Sequence, residues 1–475
     1  MNKKCQVFTP HNNVIEILDR VGYCRELYGR KVIENACGDG NILKEIVKRY
    51  IEDCLKNNIS LINIKNGLQR DIYGAEIDKK HFKKCLKNLD SVASIYKIHN
   101  VKWNILNKDI LKEKLGVEFD FVIGNPPYIK YRDLDEETRQ YVKENYESCA
   151  QGKFDYCYAF IEASLKCLNE NGKMAYLIPS NIFKNVFAQK LREMMIPYLA
   201  AIYDYTTFKL FDKKLTSSAI MILNKGKSYN KIEYFDVVKS KRNEISKKDL
   251  NGKWVFSHFT SQSVGNKYRF GDLFNASLSI ATLLNEAFII NNFEITEEYL
   301  LVDGLMIEKE IIRDAASPRS LNYKKSEKII FPYYYDNNSL IRYAPKKFED
   351  KFPGAVNHLK KYTEKLSKRD SDKNVYWYEY GRSQALAHLN QKKLLTSTLV
   401  TKNVKVYTLT EECIPYSGIY ITSKGEFCLD KAKKILQSLN FYEYVKSIGI
   451  NASGDSIRIT AGDINNYEFR DEEVL

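Results

Sequence analysis

The chain has 475 residues, of which 44% are hydrophobic and 28% are charged, so it is long enough to bury two or three cores. Its apolar runs fall short of the roughly 18–20 residues that a membrane helix needs. The N-terminal stretch MNKKCQVFTPHNN has no apolar run after its lysines, so we expect a cytoplasmic protein without a signal peptide or a membrane partner. The formal net charge of +14 favours a polyanionic partner, although lysine-rich chains can be basic for other reasons.

The cysteines give no indication of a metal site. The ten cysteines form no Cys-x-x-Cys pair, and together with six scattered histidines they match no zinc module. Because cysteine behaves as a small hydrophobic side chain, reduced buried thiols are the simplest explanation for them. We therefore predict no bound metal.

Residues 1 to about 228 alternate strand-like and helix-like segments. The predicted strands are 31–35, 72–77, 121–123, 173–178 and 218–223, and the predicted helices are 41–50, the segment after Asp78, and 155–168. We expect Asp78 to cap the second of these helices and Asn171-Gly172 to end the third. This alternation predicts an α/β fold with a mostly parallel, doubly wound sheet, which binds ligands at the carboxyl ends of its strands.

The composition changes beyond Ser228. The charged stretch Lys239–Lys248 has the composition of a surface connection, and the chain beyond it is rich in Tyr, Lys and Asn. Short strand-like runs such as KIIFPYYY and KVYTLT follow. We therefore predict two domains, 1–228 and 229–475, of which the second is irregular α+β.

A glycine-rich turn, ENACGDG over Glu34–Gly40, lies between the first predicted strand and the first predicted helix. Gly38 and Gly40 permit positive φ and close backbone approach, and the helix behind them presents free N–H groups. The turn lacks the Gly-Lys-Ser/Thr of a Walker loop and the full G-x-G-x-x-G spacing. By itself the turn is a weak signal, because an ordinary tight turn has the same composition.

Two acidic residues follow predicted strand ends. Glu76 in GAEID stands where a carboxylate can accept hydrogen bonds from two ribose hydroxyls. It lies farther from Gly40 than the ~20 residues typical of dinucleotide folds, which the insertion DCLKNNISLINIKNGLQRD explains. Asp109 in NKDIL is placed to accept from an adenine amino group, although either acid could be a capping or turn residue. With no phosphate-binding lysine in the turn, these features favour S-adenosylmethionine over ATP or NAD.

The most distinctive stretch is DFVIGNPPYIKY, Asp120–Tyr131, in which a strand-like run ends in Asn-Pro-Pro-Tyr. Pro126 and Pro127 fix two φ angles and remove two backbone donors, so the turn is stiff. It presents an amide, Asn125, before the prolines and an aromatic ring, Tyr128, after them. A site at this turn would offer an oriented acceptor next to a flat surface.

These motifs, VIGNPPY above all, resemble those of the DNA adenine-N6 methyltransferases of restriction–modification systems with the gamma order of motifs. In that family the cofactor motifs come first, the catalytic motif next and the target recognition domain last. The resemblance covers most of residues 1 to about 225 and is patchy beyond. It implies a Rossmann-like, S-adenosylmethionine-binding catalytic domain over 1–228 and a DNA target recognition domain over 229–475.

The resemblance also implies roles for individual residues. The implied cofactor contacts are Val7, Phe8, Thr9, Pro10, Glu34, Ala36, Gly38, Gly40, Glu76, Ile77, Asp109, Ile110 and Asn125. The implied catalytic residues are Asn125, Pro126, Pro127, Tyr128, Phe211 and Lys214. In FKLFDKKLTSSAIMIL, Phe211 would stack on the second face of the target base, with Phe208 as a competitor for that role and Lys214 as a nearby basic contact.

The chemistry of that family explains the residue types. The Asn125 side-chain oxygen and the Pro126 carbonyl would accept both N–H bonds of the adenine N6 amine and free its lone pair for methyl transfer. A base inside a duplex must first be flipped out, and stacking on Tyr128 and Phe211 would offset part of that cost. The reaction needs no metal and no covalent enzyme intermediate.

The second domain should read the flanking sequence. The segment WYEYGRSQ, Trp377–Gln384, followed by KKLL, and the tripeptide Ser423-Lys424-Gly425 resemble recognition domains of this group. The candidate DNA contacts are Lys130, Tyr131, Arg382, Ser383, Gln384, Lys392 and Lys393. Arg and Gln are common base readers, whereas Lys392 and Lys393 should touch phosphates or face solvent. Each of these could also be structural, and the Tyr333–Tyr335 run is more typical of a core.

The resulting hypothesis is a monomeric, site-specific DNA adenine-N6 methyltransferase that acts on double-stranded DNA at a bacterial nucleoid. Any cognate restriction endonuclease would act separately, since the sequence offers no evident nuclease site. Two alternatives remain. A methyltransferase for RNA bases or protein glutamine is disfavoured by the large second domain, and a non-catalytic DNA-binding subunit is disfavoured by the intact motifs.

Overall fold

The computed structural model describes residues 9–206, 218–256, 267–337, 339–425, 427–452 and 456–470. The chain forms two compact units, Met1–His258 and Phe259–Leu475. The first unit contains the motifs of the predicted catalytic domain, and the second contains the segment predicted to recognise DNA.

A mixed sheet forms the centre of the first unit. Its described strands are β1 Val32–Glu34, β2 Ile72–Ala75, β3 Asn104–Leu106, β4 Phe119–Gly124, β5 Leu168–Pro179, β6 Leu199–Asp204, β7 Ser218–Asn224, β8 Lys231–Asp236 and β9 Lys241–Ser246. They lie in the order β3-β2-β1-β4-β5-β7-β6-β8-β9. Strands β1 to β5 pair in parallel, and β7 runs antiparallel between β5 and β6. The predicted α/β fold is confirmed, and its parallel half carries the sequence motifs.

Helices cover both faces of this sheet. They are α1 His11–Val21, α2 Asn41–Lys56, α3 Leu61–Asp71, α4 Lys79–Ile95, α5 Glu136–Asn145, α6 Cys157–Cys167 and α7 Gln189–Met195. Because side chains alternate along a strand, Phe121 and Ile123 of β4 pack into one core with α1 to α4, and Val122 packs into the other with α5 to α7. Among the described residues, no helix is both long and apolar enough to cross a bilayer.

Local chemistry explains where two of these helices begin. The Asp78 carboxylate accepts from the N–H groups of Lys80 and His81 at 2.8 and 3.1 Å, which confirms the predicted cap of α4. The insertion between the glycine turn and Glu76 forms the end of α2 and all of α3, and the Ser60 hydroxyl caps α3 by accepting from the Asn63 N–H. The long spacing between the two motifs is therefore occupied by a helix.

Two local predictions are wrong. Helix α6 ends at Cys167, and Asn171-Gly172 lies inside β5, in an irregular stretch between Leu168 and Lys173, which both pair with β4. Sheet formation on either side of this stretch outweighs the local tendency of glycine to end a helix. The charged stretch predicted as a connection, Lys239–Lys248, contains the edge strand β9, which pairs with β8. Charged side chains are common on edge strands because they prevent pairing with other chains.

The boundary between the two compact units differs from the predicted domain boundary at 228/229. Strand β8 pairs in parallel with β6, and β9 pairs with β8, so both continue the sheet of the first unit. The compact units divide at 258/259 instead. The change of composition beyond Ser228 marks the outer strands of the sheet, where the chain becomes more polar because those strands are more exposed.

The second unit is an α+β assembly of short elements. Its described strands are β10 Lys267–Arg269, β11 Phe274–Leu278, β12 Ile289–Ile290, β13 Glu294–Ile295, β14 Tyr299–Val302, β15 Leu305–Glu308, β16 Ile312–Ala316, β17 Glu327–Ile330, β18 Tyr333–Asp336, β19 Ser339–Arg342, β20 Lys393–Thr396, β21 Leu399–Val400, β22 Val406–Leu409, β23 Ile414–Pro415, β24 Ile419–Ser423, β25 Ile450–Asn451, β26 Ile457–Arg458 and β27 Glu468–Arg470. Its described helices are α8 Phe270–Leu273, α9 Asn285–Phe288, α10 Pro318–Asn322, α11 Pro345–Lys351, α12 Pro353–Lys360, α13 Thr363–Ser367, α14 Leu429–Gln437, α15 Leu439–Ile448 and α16 Ala461–Asn465.

Small sheets hold the second unit together. Two of them have four described strands each, in the orders β11-β24-β20-β22 and β12-β17-β16-β23. A single described core contains side chains from both of these sheets. Tyr333 is buried in that core, and Tyr334 and Tyr335 pack against it. The expectation that this tyrosine run belongs to the core is confirmed.

Lys393 is the clearest departure from the sequence prediction in this unit. It begins β20 and has no exposed surface. Its ammonium group donates to the carbonyls of Thr410, Glu411 and Cys413 at 2.8, 3.0 and 3.0 Å, and burial lowers the pKa of Lys393 to about 8. The prediction that Lys393 faces DNA or solvent is wrong, because its side chain closes the turn between β22 and β23.

Replacing Lys393 by Met should lower the free energy of unfolding by about 2–4 kcal/mol, because three carbonyls at a buried site lose their shared donor. Urea denaturation followed by circular dichroism measures this loss. Its exposed neighbour provides the control, since Lys392→Met should change the free energy by less than about 0.5 kcal/mol. A Lys393→Met variant as stable as the wild type would contradict this structural role.

Burial of Lys393 also predicts a pH dependence. Burial lowers the pKa of Lys393 in the folded chain to about 8, whereas its ordinary pKa is 10.5. Between pH 8 and pH 10.5 the unfolded chain therefore binds more protons than the folded chain. Stability contributed by Lys393 should therefore grow as the pH rises through this window. The difference in unfolding free energy between wild type and Lys393→Met should be ~1–2 kcal/mol larger at about pH 9.5 than at about pH 7.5. A difference that stays constant would refute the shift.

Candidate active site

The predicted site residues of the first unit converge at one edge of the sheet. Strand β1 pairs with both β2 and β4 in parallel, so all three strands end on the same side. Glu34 ends β1, Glu76 follows β2, and Asn125 follows β4. This is the edge at which doubly wound sheets bind ligands.

The glycine-rich turn is tight and leaves no room for side chains at Gly40. The Cys37 N–H donates to the Ala75 carbonyl at 2.9 Å, and the Gly40 N–H donates back to the Cys37 carbonyl at 2.7 Å. Gly40 has a φ of +78°, and a Cβ at this position would lie 2.7 Å from the Cys85 Sγ atom. Only glycine meets both constraints, so the turn presents bare backbone at the end of β1.

Glu76 ties this turn to the end of β2. Its Oε2 atom accepts from the Gly38 N–H at 2.8 Å, and its Oε1 atom accepts from the Asp78 N–H at 2.8 Å. Each carboxylate oxygen has two lone-pair directions, so these bonds orient the carboxylate without using all its acceptor capacity. The next side chain, Ile77, is exposed. This arrangement fits a carboxylate that binds the two hydroxyls of a ribose.

Glu34 is buried behind the turn. Its Oε2 atom accepts from the Leu43 N–H in the first turn of α2 at 3.1 Å, and burial raises its pKa well above the ordinary range. Ala36 packs against the core on the α5–α7 side of the sheet. Glu34 thus links the turn to α2, and Ala36 anchors it to the core.

Asp109 lies beyond β3 and caps a short 3₁₀ turn, Ile110–Lys112. Its Oδ1 atom accepts from the Leu111 N–H at 3.1 Å, and burial raises the pKa of Asp109. The nearby Asn107 side chain donates to the Glu76 carbonyl at 2.8 Å, which links this segment to the end of β2. Asp109 is thus a capping residue in the structure, and the proposed contact with adenine would add to that role.

Asn125 is oriented by the segment that precedes α1. Its Nδ2 atom donates to the Thr9 hydroxyl oxygen at 3.1 Å. Thr9 is buried, and Pro10 follows it directly before α1. This bond fixes the orientation of the Asn125 amide, with its nitrogen toward Thr9. The structure therefore brings together two motifs that are far apart in the sequence.

Tyr128 is fixed at the other end of the same turn. Its hydroxyl donates to the Leu177 carbonyl of β5 at 2.7 Å, and burial raises the pKa of Tyr128 well above the ordinary range. Pro126 is buried and Pro127 is half-buried. The amide and the ring are therefore each held by a hydrogen bond to a different element. Sequence reasoning missed Leu177, because a residue that acts through its backbone carbonyl leaves no signal in its side-chain type.

The residues after the turn carry positive charge. A backbone bridge joins Lys130 to Asp155, and the Tyr131 N–H donates to the Phe154 carbonyl at 3.2 Å. The Lys143 ammonium donates to the Tyr131 hydroxyl at 3.0 Å and lowers the pKa of Tyr131. This placement is compatible with the predicted DNA contacts of Lys130 and Tyr131.

The candidate base readers of the second unit are differently placed. The Arg382 guanidinium donates to the carboxylates of Asp372 and Asp370 at 2.8 and 3.2 Å. The Ser383 N–H donates to Asp372 at 3.1 Å, whereas Gln384 and Lys392 are exposed. A base contact by Arg382 would require it to leave its ion pairs.

Five of the predicted residues cannot be placed. Val7, Phe8, Phe208, Phe211 and Lys214 lie outside the residues that the structure describes. The second stacking ring and the start of the N-terminal motif therefore stay predictions.

The chain is similar to known restriction-modification methyltransferases. Residues 27–211 match the family model of the Eco57I restriction-modification methylase. The Type II restriction enzyme and methyltransferase RM.Eco57I of Escherichia coli is 24% identical over 93% of this chain and 54% of its own length. The Type II methyltransferase M.BstVI of Geobacillus stearothermophilus is 24% identical over 50% of this chain and 45% of its own length.

A solved structure supports the fold. The Type IIL restriction-modification enzyme MmeI, solved in complex with DNA, superposes with a TM-score of 0.61 and 14% identity over 96% of this chain and 64% of its own. The chain spans about half the length of the two curated relatives. The segment 27–211, which contains the glycine turn, Glu76 and the Asn-Pro-Pro-Tyr turn, is thus similar to the methylases of the Eco57I restriction-modification family.

Proposed function

We propose that this chain is a site-specific DNA adenine-N6 methyltransferase that uses S-adenosylmethionine. The observation that carries the proposal is the stiff Asn125–Tyr128 turn at the end of β4, whose amide and ring are held by Thr9 and Leu177. A restriction-modification methylase domain supports DNA as the substrate. The net charge of +14 is also compatible with a polyanionic substrate.

The residues at the sheet edge fit the cofactor. The bare backbone at Gly40, the oriented Glu76 carboxylate and the half-buried Asp109 suit the methionine, ribose and adenine parts of S-adenosylmethionine, respectively. When bound, this cofactor supplies an electrophilic methyl group on a sulfonium sulfur. The described turn Glu34–Gly40 contains no lysine that could bind a phosphate chain, which favours S-adenosylmethionine over ATP.

The Asn125–Tyr128 turn would prepare the amine. The Asn125 amide oxygen and the Pro126 carbonyl each accept one N–H of the adenine N6 amine, which draws the nitrogen toward a tetrahedral shape and frees its lone pair. Because the prolines and the Thr9 bond fix these acceptors beforehand, little reorganisation is needed during the reaction. Asn125 is too weak a base to keep the released proton, which passes to solvent.

The Tyr128 ring would hold the base after it leaves the duplex. Base flipping costs a few kcal/mol, and stacking on an aromatic ring returns ~1–3 kcal/mol per base. Since the Tyr128 hydroxyl is bonded to Leu177, the ring loses no further rotamer freedom when a base stacks on it. The second unit would read the sequence around the target.

Tritiated S-adenosylmethionine offered with DNA, RNA or protein tests the substrate class. Label in the N6 amine of DNA adenine is expected, and sequencing of modified bases in DNA from an expressing host would give the recognition site. Label in RNA or in protein glutamine alone would refute the proposal in favour of another methyl acceptor. An absence of label in all three would favour a DNA-binding subunit without catalysis.

Replacing Asn125 by Ala should lower kcat about 10²–10³-fold or more, because one oriented acceptor is lost, while the Kd for S-adenosylmethionine changes less than about threefold. Single-turnover methylation and calorimetry measure the two quantities. Thr9→Val tests the orientation separately, since it removes only the partner of the amide nitrogen and should cost about tenfold. Undiminished turnover in Asn125→Ala would refute the assigned role.

Replacing Tyr128 by Ala should weaken extrusion of the base, seen as a smaller fluorescence increase from 2-aminopurine at the target position. Tyr128→Phe keeps the ring and loses only the bond to Leu177, so it should retain most of the fluorescence increase. A full increase in Tyr128→Ala would count against stacking.

Replacing Glu76 by Ala should raise the Kd for S-adenosylmethionine at least about tenfold, since two hydroxyl partners and the orientation of the Gly38 turn are lost together. Isothermal titration calorimetry gives this value. The exposed Glu52 serves as the matched control, because its replacement by Gln removes one carboxylate charge away from the site. Equal affinities in Glu76→Ala and wild type would exclude Glu76 as a cofactor ligand.

A further inference from the structure

Two exposed apolar side chains lie at the same edge of the sheet as the Asn125–Tyr128 turn. Val186 and Phe187 have 55% and 44% of their surface exposed, although both are large and apolar. They belong to the segment Ser180–Ala188, which directly follows β5. Strand β5 is the parallel neighbour of β4, and it supplies the carbonyl that holds Tyr128.

A buried arginine holds this segment from inside. Arg192 of α7 is 2% exposed, and its guanidinium donates to the carbonyls of Ile182, Asn185 and Gly252 at 2.8, 2.7 and 2.6 Å. Burial lowers the pKa of Arg192 to about 10. Burying a cation among carbonyls is costly, so the segment before Val186 is fixed by a group that would be more stable in water.

Further contacts fix the two ends of the segment. The Trp254 backbone N–H donates to the Phe183 carbonyl at 2.7 Å, and the Trp254 and Phe183 rings stack with their centroids 5.9 Å apart. The Asn185 side chain accepts from the Phe187 N–H at 3.1 Å and donates to the Tyr158 hydroxyl at 3.2 Å. Val186 and Phe187 are therefore displayed on a rigid support.

The Phe187 ring lies directly on Gly152. A Cβ at Gly152 would be 2.1 Å from the ring, so the ring needs a glycine beneath it. The loop that contains Gly152 continues into Phe154–Tyr156, whose backbone bonds to Ile129 and Tyr131 immediately after the Asn-Pro-Pro-Tyr turn. A short chain of contacts thus connects the exposed ring to the proposed catalytic turn.

Lysines lie on the segments next to the two side chains. Lys153 follows Gly152 and is exposed, and the exposed Lys130 forms an isolated backbone bridge with Asp155 of the same loop. Lys190, four residues after Val186, pairs with Glu147 at 3.2 Å. Lysines on the segments next to an apolar tip suit a polyanion whose interior is apolar, as in duplex DNA.

We propose that Val186 and Phe187 form an apolar wedge that enters the duplex beside the target adenine and packs against the bases that the flipped adenine leaves behind. Apolar side chains inserted between base steps unstack them in this way in other DNA-binding proteins. The rigid support fits this use, because a preorganised wedge loses no conformational freedom on binding. This proposal rests on the proposed function and adds the surface that opens the duplex.

The test compares Phe187→Ala with wild type on two duplexes that contain the recognition site. In one the target adenine pairs with thymine, and in the other it lies opposite an abasic position, which makes flipping easier. We expect kcat/KM to fall at least tenfold on the paired duplex and less than threefold on the abasic one. The full-length chain is used throughout, and the KM for S-adenosylmethionine should stay within twofold of wild type.

Two control variants separate a wedge from a structural role. Phe187→Leu keeps an apolar tip and should restore most of the activity on the paired duplex, and Ile62→Ala, an exposed apolar residue on α3, should leave activity unchanged. An equal loss on both duplexes, or no loss on the paired one, would overturn the wedge, and the latter result would favour a protein partner for this patch. If the wild type itself transfers no methyl group to adenine, the proposed function fails instead.

Discussion

A short turn with two fixed ends is the constraint on which the proposed active site depends. Two consecutive prolines stiffen the backbone after β4, but they do not by themselves orient the side chains on either side of them. Orientation comes from two hydrogen bonds, from the Asn125 amide to Thr9 and from the Tyr128 hydroxyl to the Leu177 carbonyl. Because the partners belong to the segment before α1 and to β5, the acceptor and the ring are positioned by the assembled fold and not by the turn alone.

The residues proposed to bind the cofactor are also oriented by contacts between distant parts of the chain. The Glu76 carboxylate is held by the N–H groups of Gly38 and Asp78, so one acidic side chain joins the ends of β1 and β2 before any ligand is present. Position 40 requires glycine for two reasons: its φ is positive, and Cys85 occupies the space that a side chain would fill. Parallel pairing of β1, β2 and β4 then brings the carboxylate, the bare backbone and the Asn125 amide to one edge. Preorganised groups of this kind need little reorganisation during a reaction, which is where electrostatic catalysis gains most.

Buried cations serve a related purpose in both units. Arg192 in the first unit and Lys393 in the second each donate to three backbone carbonyls and have their pKa lowered by burial. In each case the cation joins carbonyls of an irregular segment that lie apart in the chain. An unpaired buried carbonyl is itself costly, so the two penalties offset each other. Irregular backbone can then be held as firmly as a helix or a strand, which matters where a loop must present a side chain at a fixed position.

The sequence by itself determined the features that depend on neighbouring residues or on a stiff local motif. The α/β alternation and the Asp78 cap followed from periodicity and capping chemistry, because these are local effects. The core position of Tyr333 followed from the tendency of aromatic runs to be buried. Tertiary structure decided the rest. Pairing of the residues on either side of Asn171-Gly172 included it in β5, and strand pairing drew β8 and β9 into the first unit. Packing buried Lys393 among carbonyls from a distant turn. The contacts Asn125–Thr9, Tyr128–Leu177 and Phe187–Gly152 join residues that are far apart in the chain, and two of them involve only a backbone atom or a missing side chain on one partner. Such contacts carry no signature in residue type or spacing, so only the folded chain could reveal them.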